Sequence, residues 1–198
     1  LPLLVLCSVK GAIIVVIFVV AAWIATRLLG AVLTLLLGFL GMIAFAVLAI
    51  RLGLQIGDYH VIGLMGGLDG FVQRPFGRGL GIGGNLSDSY FSIDWSAAQA
   101  AGTIDGAVES AIGVLLYQMG IAAFVPLAFY FAVALKAWRL YASSGYLTQG
   151  LAGFGVMVVL LNGLFQEEAL FAPLALGLML SLTGLVIGSH VRMQAVAS

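Results

Sequence analysis

Long apolar stretches separated by few charges constrain the fold of this chain more than any other feature. Hydrophobic residues make up 63% of the 198-residue sequence, and charged residues make up only 8%. A soluble protein of this size rarely leaves so much apolar surface to cover, whereas runs of about twenty apolar residues can cross a bilayer as helices. The sequence therefore predicts an all-α integral membrane protein.

Five such runs emerge when a rise of about 1.5 Å per residue is set against a hydrocarbon core of about 30 Å. They predict transmembrane helices at residues 11–25, 29–50, 111–135, 151–165 and 170–188. The chain then divides into residues 1–51 with two transmembrane helices, 52–109 as a long polar loop, and 110–198 with three more. Because the sequence begins at Leu1 without a cleavable leader pattern, we expect further spans to precede it.

Several functional classes are disfavoured by the composition. The net charge is zero and no basic cluster is present, which argues against nucleic acid as a partner. The single cysteine, Cys7, has no partner for an internal disulfide and is expected to be a small apolar residue in a span. No Cys/His pair has metal-ligand spacing, so neither a metal nor another cofactor is expected.

The distribution of charge predicts the orientation. If the 52–109 loop lies outside, four basic residues lie inside in short loops or at the tail, and no acid accompanies them. These residues are Arg27, Lys136, Arg139 and Arg192. The bases outside include two in a long loop, which the positive-inside rule weights less. We therefore expect the polar loop on the outer face.

The polar loop is internally uneven. Residues 52–70 are weakly polar and rich in glycine, which is typical of a re-entrant or interfacial segment. Residues 77–84 contain five glycines and predict an irregular loop. Helix formers return at Trp95, and Thr103 is a plausible N-cap for a helix that continues through Glu109 into the third span.

The predicted spans gather charged groups from distant parts of the sequence at one outer rim. These groups are Lys10, Arg51, Arg74, Arg78, Glu109, Glu167 and Glu168. Simpler roles are open to several of them: Lys10 can snorkel, Arg51 can anchor the end of a span, and the two acids at 167 and 168 can be solvated in a turn. Glu109 stands directly before a long apolar run, where an unpaired carboxylate is costly, and this favours a functional role.

A formal GxGxxG pattern occurs at Gly79, Gly81 and Gly84. No strand precedes it and no βαβ unit is possible, so a dinucleotide site is rejected. A glycine loop flanked by Arg74 and Arg78 can nevertheless bring backbone N–H groups and guanidinium groups close to a phosphate or pyrophosphate. A purely steric role for the loop remains the alternative.

Three segments, in this order and spacing, resemble the O-antigen polymerase and O-antigen ligase family. They are CSVKGAIIVVIFVVAAW, which looks like the span that opens with a basic-Gly-Ala step, then RPFGRGLGIGGN and VESAIGVLLYQMGIAAFVPLAFYF. The second resembles the family's periplasmic glycine loop, and the third resembles its entry into the next span. Members of this family have more spans than the five predicted here, so the chain resembles their C-terminal half.

One departure from the family pattern bears on the activity. Ligases of this family carry His-Asn or His-Ser where this chain has Glu109 and Ser110. The departure favours an exopolysaccharide polymerase-like member over a ligase.

The resemblance implies a GT-C-like glycosyltransferase in the bacterial inner membrane. It would polymerise or transfer glycan repeat units carried on undecaprenyl diphosphate, at the outer face, with the bilayer and other polysaccharide-assembly proteins as partners. Arg74, Arg78 and Lys10 would hold the diphosphate, and Glu109 would orient or deprotonate the acceptor hydroxyl. The remaining substrate contacts would come from Gly79, Gly81, Ser110, Glu167 and Glu168.

Two other functions fit the same sequence. A non-catalytic subunit or scaffold of a larger membrane assembly is compatible with the low charge. Half of a polytopic transporter is also compatible, although transporters usually place ionisable groups near the bilayer midplane and not at its rim.

Overall fold

The computed structural model describes residues 10–144 and 146–197, which are 80% helical and contain no strand. The longer helices are α1 (Lys10–Leu29), α2 (Ala31–Ile56), α3 (Tyr59–Gln73), α6 (Ala111–Met119), α7 (Phe124–Ser144), α8 (Leu147–Asn162) and α10 (Leu178–Ala197). Short helices are α4 (Asp88–Phe91), α5 (Trp95–Ala101) and α9 (Glu168–Phe171). A 3₁₀ turn, Gly120–Ala123, joins α6 to α7, and a π-helical turn, Pro173–Gly177, precedes α10.

Three helical segments of the described chain are long and apolar enough to cross a membrane. They are Ala31–Ile56, Ala111–Ser144 and Ala175–Met193, and two shorter apolar helices accompany them at Val16–Leu29 and Leu147–Asn162. The prediction of an all-helical protein is confirmed, and three helices have the length and apolar composition that a membrane span needs. Of the five predicted spans, the first and fourth correspond to the two shorter helices.

The chain forms two compact units. The apolar unit comprises Leu1–Met42, Phe129–Leu160 and Pro173–Ser198, and the polar unit comprises Ile43–Ala128 and Leu161–Ala172. Within the apolar unit, the Trp138 indole N–H donates to the Ala31 carbonyl at 3.1 Å. Gly153 lies directly against the backbone of Ala134, as expected where small residues let helices approach closely.

In the polar unit, α3 packs against α6 through a face of glycines. A Cβ atom on Gly63 would overlap the Val108 carbonyl, one on Gly67 would overlap the backbone of Gly113, and one on Gly70 would overlap the Tyr117 ring. The contacts advance together along both segments, so the two helices run in the same direction. Since no side chain fits between them, glycine is required at these positions.

The start of α3 is set by Asp58. Its side chain accepts hydrogen bonds from the backbone N–H groups of His60 at 3.0 Å and Val61 at 3.3 Å, as an N-cap residue does. The segment predicted as re-entrant or interfacial therefore consists of the end of α2 and most of α3. At about 22 Å, α3 is too short to cross a core of about 30 Å.

The prediction that Thr103 caps a helix through Glu109 is wrong. Residues 103–110 are not helical, and α6 begins at Ala111, where Ser110 Oγ accepts a hydrogen bond from the Gly113 N–H at 3.0 Å. The physical reason is the backbone: Gly102 ends α5 in the left-handed conformation, and Gly106 and Glu109 also have positive φ angles. A helix cannot continue through such residues.

Two further boundaries differ from the prediction. Arg51 lies within α2, which continues to Ile56, and so it does not end the span. The third predicted span continues as helix to Ser144, past residue 135. Residues 77–84 are irregular, as predicted, and α5 begins at Trp95, where helix formers return. Cys7 and the side chain of Lys10 lie outside the described residues.

Candidate functional site

Glu109 occupies a strained turn directly before α6. Its φ angle is 63°, the only positive value at a non-glycine position among the described residues. The Ser110 N–H donates to the Val108 carbonyl at 2.7 Å, which closes a three-residue turn centred on Glu109. A side chain in this region of backbone space costs about 1–3 kcal/mol and persists only where the surroundings impose it. The Glu109 N–H is held by Asn85 Oδ1 at 3.0 Å.

The carboxylate of Glu109 lies between an imidazole and a phenol. Its Oε2 is 3.4 Å from His60 Nδ1, and its Oε1 accepts a long hydrogen bond from the Tyr90 hydroxyl, also at 3.4 Å. Only 12% of the side chain is exposed. The charge of Glu109, with burial second, raises the pKa of Tyr90, so the phenol stays protonated and acts as a donor.

His60 is positioned by α3 rather than by its own hydrogen bonds. Its buried Nδ1 forms no hydrogen bond of acceptable geometry with any described residue, although Glu109 Oε2 is close by. The Tyr59 ring lies 4.4 Å from the imidazole, centroid to centroid. The contact between His60 and Glu109 is therefore one of proximity, and it becomes an ion pair only when the imidazole carries a second proton.

Asn85 connects Glu109 to a second carboxylate. Besides accepting from the Glu109 N–H, it donates its own backbone N–H to Glu167 Oε2 at 2.9 Å. Gly84, with φ at 90°, leaves room for this approach, because a Cβ atom there would lie 2.8 Å from Glu167 Oε1. Burial raises the pKa of Glu167, and the charges of Glu168 and Glu109 raise it further, while the Asn85 hydrogen bond opposes the rise.

The raised pKa of Glu167 predicts a pH-dependent stability. Since the folded protein holds this proton more tightly than the unfolded chain does, stability falls as pH rises from the ordinary value of 4.5 through the folded-state pKa. Glu167→Gln is expected to remove that loss and to raise the melting temperature near neutral pH. Thermal unfolding in detergent at several pH values checks this result.

Glu168→Gln is the matched control, because it removes the same charge from a neighbouring, exposed position. It is expected to change the profile less. Equal profiles for Glu167→Gln and the unmodified protein above pH 4.5 would contradict the assignment.

The glycine loop is attached to the other end of α6. The Arg78 N–H donates to the Tyr117 carbonyl and the Gly79 N–H to the Gln118 carbonyl, both at 3.0 Å. The Arg78 guanidinium lies 4.7 Å from the centroid of the Tyr117 ring and donates to Gln73 Oε1 at 3.0 Å. Its Nε is buried and has no hydrogen-bond partner among the described residues.

Arg78 and Glu109 therefore do not meet directly. Tyr117 follows Ala111 by about 9 Å of helix rise, and no contact joins Arg78 to Glu109 among the described residues. Arg74 is exposed at the C-terminal end of α3, where its N–H donates to the Gly70 carbonyl at 3.0 Å. The structure brings Glu167 to Glu109 through Asn85, whereas neither arginine contacts Glu109 in the part of the chain that it describes.

The other predicted contacts have varied surroundings. Ser110 is fully buried and caps α6, and the Gly79 N–H is engaged with α6, so both have a structural role. Gly81 has open space where a Cβ would lie, and Glu168 is exposed at the start of α9. Whether any of them contacts a substrate remains a prediction.

Sequence reasoning missed three members of the site, namely His60, Tyr90 and Asn85. They lie in separate segments of the 52–109 polar loop and come close to Glu109 only when the chain folds. One local signal was present: His60 is one of only two histidines and follows the N-cap residue Asp58. Comparisons with protein-family models, curated protein sequences and solved structures find no match to this chain, so the chemistry of the site rests on its own residues.

Proposed function

We propose that the protein is a glycosyltransferase that extends glycans carried on a lipid diphosphate, as its resemblance to O-antigen polymerases implies. The observation that carries the proposal is Glu109: a largely buried carboxylate held in a strained turn between His60 and Tyr90. Strain of this kind is typical of functional positions, where the surrounding structure holds a group in place for its chemistry. In this proposal the site faces the periplasm, in a GT-C-like protein of the bacterial inner membrane.

Glu109 would act on the acceptor. An acceptor hydroxyl attacks the anomeric carbon of the donor, its proton passes to the Glu109 carboxylate, and the bond from that carbon to the phosphate oxygen breaks. The lipid diphosphate leaves with the electron pair. General-base assistance of this kind contributes about 10²–10⁴-fold to a rate. The Tyr90 hydroxyl donates to one oxygen of the carboxylate, and His60 lies beside the other.

The arginines would act on the leaving group. Negative charge grows on the diphosphate as the bond breaks, and guanidinium groups stabilise it by paired hydrogen bonds. Arg78 supplies a guanidinium held by Gln73 and the Tyr117 ring, and Arg74 is exposed nearby in sequence. The acceptor oxygen and the leaving oxygen lie on opposite sides of the reacting carbon in a direct displacement. Base and cations therefore need not touch each other.

Membrane vesicles from cells with and without the protein test the activity. Supplied with a lipid-diphosphate-linked repeat unit, vesicles containing the protein are expected to form lipid-linked dimers and longer glycans and to release lipid diphosphate. The products are separated by size, and the number of glycosidic bonds formed is calculated from their lengths. Movement of the repeat unit across the vesicle membrane without any bond formation would contradict the proposal and favour a transporter.

A further inference from the structure

The polar unit contains a cavity of about 350 Å³ beside α5, away from the carboxylate of Glu109. Its walls come from α5 and from the segments that precede and follow that helix, including Ile93, Asp94, Ala98, Ala101, Thr103 and Asp105. Pockets that hold small molecules measure roughly 300–1,000 Å³, so this cavity is of the size that accepts a single ring.

The lining combines apolar and acidic residues. Ala98, Ile93 and Ile104 are apolar, and Asp94 and Asp105 carry carboxyl groups. The hydroxyl-bearing residues Ser92 and Thr103 also line the cavity. A pyranose ring has the complementary pattern, since its C–H faces are apolar and the hydroxyls around its edge both donate and accept hydrogen bonds.

Asp94 is fixed in place by its role at the start of α5. Its Oδ1 accepts from the Ser96 hydroxyl at 2.6 Å, the Ser96 N–H at 3.0 Å and the Ala97 N–H at 3.1 Å. All three bonds go to one oxygen, which leaves Oδ2 as an acceptor. The hydrogen bond from Ser96, with that from Ala97, holds the pKa of Asp94 below its usual range. The lining therefore includes a preorganised, ionised carboxylate.

The charge of the lining residues favours a sugar over its diphosphate carrier as the ligand of the cavity. The cavity has two carboxylates and no basic residue, which disfavours phosphate or diphosphate. The Arg78 loop carries the positive charge instead. A glycan linked to a lipid diphosphate contains both parts, so the uncharged sugar is the part that suits the cavity.

The residue next to the cavity lining contacts the surroundings of Glu109. Trp95 follows the lining residue Asp94 and does not line the cavity itself; its ring lies 6.1 Å from the Tyr90 ring between centroids, and the Tyr90 hydroxyl donates to Glu109. Asp105 also lies only four residues before Glu109 in the chain. From this juxtaposition we infer that the cavity binds one pyranose ring of the acceptor glycan. Naming the ligand as a glycan rests on the proposed function.

A glycan array probed with the detergent-solubilised protein tests this site. The unmodified protein is expected to retain a subset of immobilised oligosaccharides that share one pyranose. Ala101→Phe, which fills the cavity, is expected to lower retention at least tenfold. Ala100→Phe is the matched control, since residue 100 is its exposed neighbour on α5 and does not line the cavity.

A second pair of variants removes charge without adding bulk. Asp105→Asn is expected to lower retention of the same glycans, whereas Asp88→Asn, at an exposed acid outside the cavity, is expected to leave it unchanged. Any of three results would overturn the inference. They are no glycan retention by the unmodified protein, equal retention by both members of each pair, and retention of an immobilised diamine in place of glycans.

The vesicle assay separates this inference from the proposed function. If the protein forms no glycosidic bonds but still retains glycans in a way that depends on the cavity, the binding site stands and the proposed transferase activity is refuted. If Ala101→Phe and Asp105→Asn change neither bond formation nor glycan retention, the transferase activity stands and the binding site in the cavity is refuted.

Discussion

Replacing Glu109 by Gln is expected to abolish polymer in cells while single lipid-linked repeat units accumulate. Gln keeps the size of the side chain but cannot accept the proton of an acceptor hydroxyl, so the rate is expected to fall by about 10²-fold or more. The variant should remain inserted, because the turn does not depend on the Glu109 carboxylate. The Ser110 N–H donates to the Val108 carbonyl, and the Glu109 N–H donates to the Asn85 side chain. Polymer length and lipid-linked intermediates are measured by gel and by mass spectrometry.

Two comparisons sharpen this experiment. Asp88→Asn removes one acid from an exposed position and is expected to leave polymer intact. Arg78→Ala is expected to reproduce the loss of polymer, because it removes the guanidinium assigned to the leaving group. Unchanged polymer length in both Glu109→Gln and Arg78→Ala would contradict the proposed roles.

Adding one methyl group at Gly63 is expected to destabilise the polar unit by about 1–3 kcal/mol, the usual cost of overpacking. The new Cβ would overlap the Val108 carbonyl, which is backbone and also closes the turn around Glu109. Relief of the overlap has to move either α3, which carries His60, or the turn itself. Gly63→Ala should therefore lower both the melting temperature and the activity.

Gly41→Ala is the control for that substitution. Gly41 is also a helical glycine, and a Cβ there has open space within 4 Å. Its replacement is expected to leave the melting temperature unchanged or to raise it, because alanine favours a helix over glycine. Equal melting temperatures for Gly63→Ala and the unmodified protein would show that α3 and the turn before α6 are not packed as closely as described.

The helical character of the chain and the presence of segments apolar enough to span a membrane could be predicted because hydropathy is a sum over about twenty neighbouring residues. The irregular loop at residues 77–84 could be predicted for a similar reason, since five glycines within it act locally. The contacts of that loop could not. Its bonds to Tyr117 and Gln118 join segments far apart in the sequence, and only folding reveals them.

The candidate site was predictable only in part. Glu109 stands out because a carboxylate precedes an apolar run, but its backbone conformation depends on bonds to Asn85 and within the turn. That conformation is also why the helix predicted from Thr103 fails: helix propensity at Ala107 and Val108 is overridden by positive φ angles on both sides. His60 and Tyr90 lie well before Glu109 in the sequence, and only the packing of α3 and α4 brings them to the carboxylate.

The central claim is that the Glu109 carboxylate takes part in forming a glycosidic bond. The most direct measurement is the single-turnover rate of dimer formation from a lipid-diphosphate-linked repeat unit, comparing Glu109→Gln with Asp88→Asn at equal amounts of inserted protein. We predict that Glu109→Gln reacts about 10²-fold more slowly while binding the donor equally well. Equal rates for the two variants would contradict the claim.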